Sequence, residues 1–312
     1  MKVLETERLT LRWFDEGDAP FILELLNDPD WIANIGDRNI HTVEEARAWI
    51  VTRLVASYWQ KGHGLWAMER RSDGVPVGMC GLIERDTLPA IDVGYALAPA
   101  FRGSGYAREA TRACLAYARE VLGKARVLAI VSPANRASIH VLESAGMAAE
   151  GVRVLEGESR ETAVFGWGEG LDRRDDRAEI DSLASRFFRS FVNRGVAVPT
   201  LAAIPSFFLT EAVVTVVRAG EPRGVVVSNV RDFVVPRAAL LLDGLRDFDE
   251  HEVTSETTIT GSLAHRASHY RKSGMLDGTA FEGEGRKHFQ LVRTTRGWKV
   301  AALVWEDGPA AG

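Results

Sequence analysis

The chain has 312 residues, 46% of them hydrophobic, and a formal net charge of −5; that is more length than one domain usually takes, with apolar material for two cores. The acidic balance argues against a nucleic-acid or membrane-surface binder, and two cysteines, Cys80 and Cys114, outside any CxxC pair exclude a disulfide framework or a zinc cluster. No apolar run is long enough to cross a bilayer and MKVLETERLTLR has no apolar signal core, so a soluble, cytoplasmic protein is expected.

In chain order, RLTLRWF (8–14) reads as a strand, and 18–27 and 42–60 read as helices, the second opened by a capping box of Thr42 with Glu45. LWAMERR, VPVGMCGLIER and IDVGYAL read as successive strands, separated by an Asp-Gly and a Thr-Leu-Pro turn. An amphipathic helix follows the loop Arg102-Gly103-Ser104-Gly105. VLAIVSP is then a buried strand, 136–145 a helix stopped by Gly146, and VRVLEG with ETAVFGWG a closing hairpin. This alternation indicates an α/β sheet with helices on its faces.

The glycine loop invites an anion, because bare backbone N–H groups at a helix start point at whatever lies in front of them. A Walker A loop is excluded, since no Gly-Lys-Ser/Thr follows. A dinucleotide fingerprint is excluded as well: Arg108 stands where a small residue is needed, and the next strand ends Val131-Ser132 with no acid. The pattern Arg102-x-x-Gly105-x-Ala107, after YALAP and before a helix, resembles the acetyl-CoA loop of the GNAT N-acetyltransferase superfamily; a plain strand-to-helix turn is the alternative reading. LETERLTLR, TVEEARAWI, VGYAL and SPANRASIHVLESAGM extend the resemblance over 4–167, to the branch of the ribosomal-protein-alanine (RimJ/RimL-type) N-acetyltransferases.

That resemblance implies a splayed mixed sheet and acetyl transfer from acetyl-CoA, the cosubstrate, to a primary amine. It implies that Arg102, Gly103, Ser104, Gly105, Tyr106 and Ala107 hold the pyrophosphate. It also implies that backbone groups of Tyr95, Ala96 and Leu97 bond the pantetheine arm, which Asn135 contacts too. Ser138 matches a serine near the departing sulfur, although Asn135 and Ser138 also read as an ordinary helix cap. An amine held in line attacks a thioester directly, so positioning and a base suffice. Asp92, Glu156 and Glu158 are the candidate bases, and each also reads as a solvated carboxylate. Ser144-Ala145-Gly146-Met147 replaces the family's Lys-Leu-Gly-Phe, and Arg102 stands where an aromatic or glycine is common. The acceptor is expected over DPDWIANIGDRNIH, with Trp31, Asp37, Arg38 and His41 as candidate lining residues.

The pattern breaks at a charged linker, 169–176, which places domains at 1–168 and 177–308 with a loose tail at 309–312. The next helix puts Ile180, Leu183, Ala184, Phe187 and Phe191 on one face and stops at Gly195. Helical pieces near the domain's start give way to three long antiparallel strands, ITGSLAHRASHYR, KHFQLVRT and WKVAALVW, the last two joined by a Thr-Arg-Gly turn. FVVPRAALLLDG and the closing strands resemble the nuclear transport factor 2-like (SnoaL-like) superfamily. This implies an α+β cone with a curved antiparallel sheet and a pocket or dimer interface at its open side. His265 and His269 have helical metal-ligand spacing, but on a strand they lie roughly 13 Å apart at ~3.3 Å per residue. No metal site is therefore expected, and both are read as pocket-lining groups.

The expected activity is an N-acetyltransferase acting on a peptide N-terminus or a small amine, with the C-terminal cone serving dimerisation or ligand recruitment. Two alternatives stay open: a non-catalytic acyl-CoA sensor or scaffold, and a bifunctional enzyme whose cone performs an isomerase-, cyclase- or dehydratase-like step. No nucleic-acid or membrane partner is expected; a homodimer through the second domain is the one protein partner considered.

Overall fold

A computed structural model describes residues 1–168, 175–195, 199–218, 224–294 and 297–308. The chain divides into two compact units, Met1–Tyr58 with His63–Asp172, and Trp59–Gly62 with Arg173–Gly312. Most of the linker, the Thr-Arg part of the last turn and the tail lie outside the described residues.

In the first unit the strands are β1 (Lys2–Glu5), β2 (Leu9–Arg12), β3 (Leu65–Arg70), β4 (Pro76–Ile83), β5 (Asp92–Leu97), β6 (Arg126–Val131), β7 (Ala148–Val154) and β8 (Glu161–Gly168). They form one sheet in the order β1-β2-β3-β4-β5-β6-β8-β7. It is a mixed sheet: β5 and β6 run parallel, and the other neighbours run antiparallel. The parallel pair touches at one register position, Asp92 with Leu128, and the two strands part beyond it.

Helices α1 (Ala19–Leu26), α2 (Pro29–Asn34), α3 (Val43–Trp49) and α4 (Ala56–Lys61) occupy the β2–β3 connection, with a π-helical turn, Ile50–Val55, between the last two. The Thr42–Glu45 capping box is present in full. The short α2 lies inside a stretch read from sequence as a plain connection. Asp28 starts it, accepting hydrogen bonds from the Asp30 and Trp31 N–H groups, with Pro29 at the first helical position.

Helix α5 (Tyr106–Glu120) buries Ala107, Ala110, Cys114 and Ala118 along one stripe. These small side chains let the helix lie close on the sheet, bringing Cys114 Sγ to 3.5 Å from Cys80 Sγ on β4. Both are free, buried cysteines, as small core residues should be. Helix α6 (Arg136–Ser144) ends at Ala145, and Gly146 takes the left-handed conformation, φ 90°, as the sequence implied.

The second unit starts with α7 (Asp176–Arg189), whose cap is Asp175, so the helix already includes the last residue assigned to the linker. A 3-10 turn, Leu201–Phe207, precedes β9 (Phe208–Arg218) and β10 (Gly224–Asn229). Then follow α8 (Val230–Asp243), β11 (Leu245–Thr260), β12 (Leu263–Leu276), β13 (Thr279–Thr294) and β14 (Gly297–Asp307). The sheet order is β10-β9-β14-β13-β12-β11. It has six strands where three were expected, and it is mixed rather than wholly antiparallel, since β14 runs parallel to β9. The strand read as ITGSLAHRASHYR is broken at Gly261, φ 60°, into a turn that joins β11 to β12. β11 escaped notice because HEVTSETTIT, with few apolar residues, shows no clear apolar period.

Helices α7 and α8 pack on the sheet, and Phe187 is their hub. Its ring lies 5.3 Å from those of Phe191 and Phe289 and 5.9, 6.1 and 6.4 Å from Phe188, Phe208 and Phe233. On β12 the alternation predicted from sequence holds, but the buried side is the one bearing Arg266, Ser268 and Tyr270. His265 and His269 are on the more open side, so the pocket-lining role given to them does not stand. Burial of this strand follows the ion-paired Arg266 and the aromatic Tyr270. Phe187→Ala should cost the second unit about 3–5 kcal/mol, read by urea denaturation; a loss below about 1 kcal/mol would show that the aromatic cluster is not its core.

Candidate functional site at the β5–β6 split

Beyond Asp92, the β5 backbone is bonded to β4 on one side, through register pairs that run to Leu97 with Gly78. On the β6 side no register pair follows Asp92 with Leu128. Tyr95 and the Leu97 N–H therefore present backbone groups toward the split, where an extended ligand can take the place of a neighbouring strand, while Ala96 turns its own toward β4.

The loop after β5 leads directly into α5. Gly103 and Gly105 have φ of 74° and 81°, a region that side chains disfavour, and Gly105 is the α5 N-cap with no side-chain cap bond. The first-turn N–H groups of a 15-residue helix are thus left without a capping side chain. A Cβ placed on Gly103 would meet nothing within 4 Å. Uncapped donors, a helix dipole and bare glycine suit a pyrophosphate.

Arg102, assigned to this anion from sequence, is engaged elsewhere. Its guanidinium pairs with Asp28, with Asp30 at 2.6 Å, and with the Leu97 carbonyl at 3.2 Å. The sequence reading missed a different arginine. Arg8 donates Nη1 to the Ser104 carbonyl at 2.9 Å and Nε to Glu109 at 2.6 Å, and lies 4.6 Å above the Tyr106 ring. Glu109 also accepts from the Arg8 backbone and the Thr6 hydroxyl. Burial alone would raise the Glu109 pKa; the bonds from Thr6 and Arg8 outweigh it and hold the carboxyl below its usual range. No local pattern signals a contact across a hundred residues, so Arg8 was not legible.

On the face covered by α5 and α6, Trp66, Cys80 and Tyr95 stand in register across β3, β4 and β5. The Tyr95 hydroxyl is 2.7 Å from Ser138 Oγ and donates to the Ser138 carbonyl at 3.0 Å. Sequence named Tyr95 for its backbone; its side chain joins the site as well. Burial pushes its pKa up, against the Ser138 hydrogen bond, so the phenol stays protonated. Asn135 caps α6 through the Ser138 N–H at 3.0 Å, and its amide donates to Asn34 on α2 at 3.1 Å. Capping therefore uses the side chain assigned to the pantetheine.

Asp92 lies three residues before Tyr95 and so points to the opposite face of the strand. It is 1% exposed, with Arg85 Nε at 3.0 Å. Burial pushes its carboxyl up to about 6, and Arg85 opposes the rise. Glu156 and Glu158 are exposed in the β7–β8 turn. Leu155 beside them packs with Leu88, Leu128 and Val164, which puts the turn at the Asp92 end of the split. Trp31 is buried in α2 at 5% exposure, its Nε1 without a hydrogen-bond partner. Asp37, Arg38 and His41 are exposed on the connection to α3. The Arg102 and Asn135 contacts tie α2 to both the glycine loop and α6.

Residues 8–148 match the acetyltransferase (GNAT) domain family. The chain is 32% identical over 156 residues to YkkB of Bacillus subtilis (strain 168), named an uncharacterized protein, covering 46% of this chain and 84% of the relative. It is 30% identical over 153 residues to YoaA of the same organism, named an uncharacterized N-acetyltransferase, with 48% and 85% covered. This chain belongs to the GNAT acetyltransferase family. A solved structure of an acetyltransferase from Agrobacterium tumefaciens strain C58 is 25% identical with a TM-score of 0.47, covering 54% of this chain and 95% of that one. The GNAT match includes the glycine loop, Asp92, Tyr95, Asn135 and Ser138, and ends before Arg173, where the larger part of the second unit begins. Among the described residues no group of three or more His, Cys, Asp or Glu side chains is placed to hold a metal.

Within this GNAT domain, Glu109→Ala should release Arg8 from the loop and cost about 1–2 kcal/mol, since the pair is partly solvated. Thermal unfolding checks this; an unchanged midpoint would mean that the Arg8–Glu109 tie does not hold the loop.

Proposed function

We propose that the first unit moves an acetyl group from acetyl-CoA to the primary amine of a peptide N-terminus or small metabolite, as a member of the RimJ/RimL-type branch. The observation that carries this is the opening of β5 from β6 directly upstream of an uncapped α5 N-terminus. A thioester supplies the acyl group and, in the thiolate, a leaving group.

In this reading the α5 N–H groups with Gly103 and Gly105 hold the pyrophosphate, and the open edge of Tyr95–Leu97 holds the extended arm. Arg8 fixes the loop from behind through the Ser104 carbonyl, and Arg102 fixes α2 against the loop rather than the phosphate. The amine nitrogen forms the C–N bond and the C–S bond breaks. Asp92 takes the proton the ammonium must lose. Tyr95 and Ser138, on the opposite face, return a proton to the departing sulfur. Base and acid thus reach the split from its two faces. Between the candidate bases the geometry favours Asp92 over Glu156 and Glu158: a carboxyl with pKa near 6 is suited to general-base work near neutrality, whereas both glutamates are exposed. The acceptor is placed at α2 and the connection that follows, with Asp37, Arg38 and His41 free to meet it.

The second unit is read as a nuclear transport factor 2-like cone that recruits a ligand or a second copy of the chain. Its two helices packed on one sheet support the first part of that reading. Val225, Val226 and Val227, exposed on the edge strand β10, support the second.

Acceptor-dependent release of free CoA, measured with peptides bearing free N-termini and with small primary amines, tests the activity; a chain that binds acetyl-CoA and turns over none of them is a sensor instead. The base acts when ionised, so kcat/KM should rise with pH through about 6. Asp92→Asn should lower kcat by about 10²–10⁴-fold and remove that limb. An Asp92→Asn enzyme with the parent's profile would take the role from this residue.

A further inference from the structure

The Asp92 carboxyl lies between an apolar collar and a cation. Asp92 stands opposite Ile83 on β4 and opposite Leu128 on β6. Leu128 packs with Leu88, Leu155 and Val164, from the β4–β5 connection, the β7–β8 turn and β8, and none of these is more than 7% exposed. Apolar side chains from separate segments thus keep water from this end of the split.

The cation is Arg85, whose Nε donates to Asp92 Oδ1 at 3.0 Å, while Oδ2 takes no hydrogen bond from it. Arg85 belongs to the same connection as Leu88, and the Leu88 N–H donates to the Arg85 carbonyl at 3.3 Å. One turn therefore carries both a group that desolvates the carboxyl and the group that answers its charge. Glu84 and Asp86 flank Arg85, Arg126 on β6 pairs with Glu150, Glu161 opens β8, and Glu156, Glu158 and Arg160 lie in the β7–β8 turn. Of all these charges only that of Arg85 acts on Asp92.

Burial pushes the carboxyl up, Arg85 opposes the rise through its charge and its hydrogen bond, and the balance lies at about 6. The collar without the cation would leave an acid at neutral pH, which can take no proton. The cation without the collar would leave a carboxylate too weakly basic to compete for one.

We infer, on the reading of Asp92 as the base, that Arg85 is a positioning residue for acetyl transfer: it holds Oδ1, leaves Oδ2 to take the proton, and with the leucine collar sets the pH above which the domain works. The carboxylate becomes the acid as the ammonium becomes the amine, and the proton passes to water before the next turnover. Arg85 acts through Asp92 and stays charged throughout. Its influence and that of the collar have opposite signs. Without Arg85 the ionised form loses its cation, so the acid form gains; with the collar opened, water reaches the carboxylate and the acid form loses.

Carboxyl-carbon NMR of the full-length chain with isotope-labelled aspartate tests this without an acceptor, the signal missing from Asp92→Asn being that of Asp92. Its midpoint should lie at about 6 in the parent and about 1 pH unit higher in Arg85→Gln. Arg85→Lys, a point charge without the fixed fork, should fall between the two. Leu155→Ala should move the midpoint the other way, down by about half a pH unit. The acid limb of kcat/KM, measured with a primary amine that supports CoA release, should move with the carboxyl in each variant, which a purely structural role would not produce. Should Arg85→Gln fail to fold, the directions in Arg85→Lys and Leu155→Ala decide. A midpoint that stays at the parent's value in folded Arg85 variants, or rises in Leu155→Ala, would overturn the inference and leave the base reading untouched. A carboxyl that moves as expected while the limb of kcat/KM stays in place would overturn both.

Discussion

The parallel pairing of β5 with β6 is confined to Asp92 and Leu128, and the first unit is organised around what lies beyond that pair. Strand backbone that loses its neighbour must find other partners for its N–H and C=O groups, or bury them at a cost. Here the gap opens immediately upstream of a glycine loop and an uncapped helix, so unmet backbone donors from a strand edge and a helix end face the same ligand path. A long molecule with a phosphate-rich end and an amide-bearing arm satisfies both sets. The proposed reaction needs no side-chain nucleophile, because holding two reactants in line suffices.

Several contacts exist to keep that gap in shape. The small stripe Ala107, Ala110, Cys114 and Ala118 sets α5 tight against the sheet, which fixes where its N-terminus points. Arg8, just ahead of β2, braces the loop and is held there by Glu109 of α5. Arg102 and Asn135 tie α2 to the loop and to α6. The segment assigned to the acceptor is therefore mechanically joined to the segments assigned to the acyl donor. Asp92 and Tyr95 stand on opposite faces of one strand, and in the proposed reaction they divide the proton traffic between the two sides.

Much of this was legible because it is local. The Thr42 capping box, the Gly146 helix stop and the glycine loop are written in consecutive residues whose backbone conformations follow from side-chain chemistry. The place where β5 parts from β6 came from the resemblance. What escaped was long-range: Arg8 reaching Ser104, Arg102 diverted to Asp28 and Asp30, and Tyr95 meeting Ser138 across the α6 face. In the second unit, β12 showed its alternation, but the reading that put His265 and His269 in a pocket was wrong. Alternation cannot say which side is buried when both sides are polar. Ion pairing decides it: Arg266 is satisfied by Glu252 and Asp181, so a charged face is the one covered.

Acetyl-CoA binding at the α5 loop is the claim on which the rest stands, and thermal unfolding of the full chain, alone and with saturating acetyl-CoA, measures it most directly. At a hundredfold over its dissociation constant the ligand should stabilise the first unit by about 2.7 kcal/mol, a rise of several degrees in its transition. Gly105→Trp places a bulky side chain at φ 81° in front of the helix, and should abolish the rise while the second unit's transition stays in place. A parent chain that shows no shift, or a folded Gly105→Trp variant that shifts as much as the parent, would contradict the placement of the cofactor on this loop.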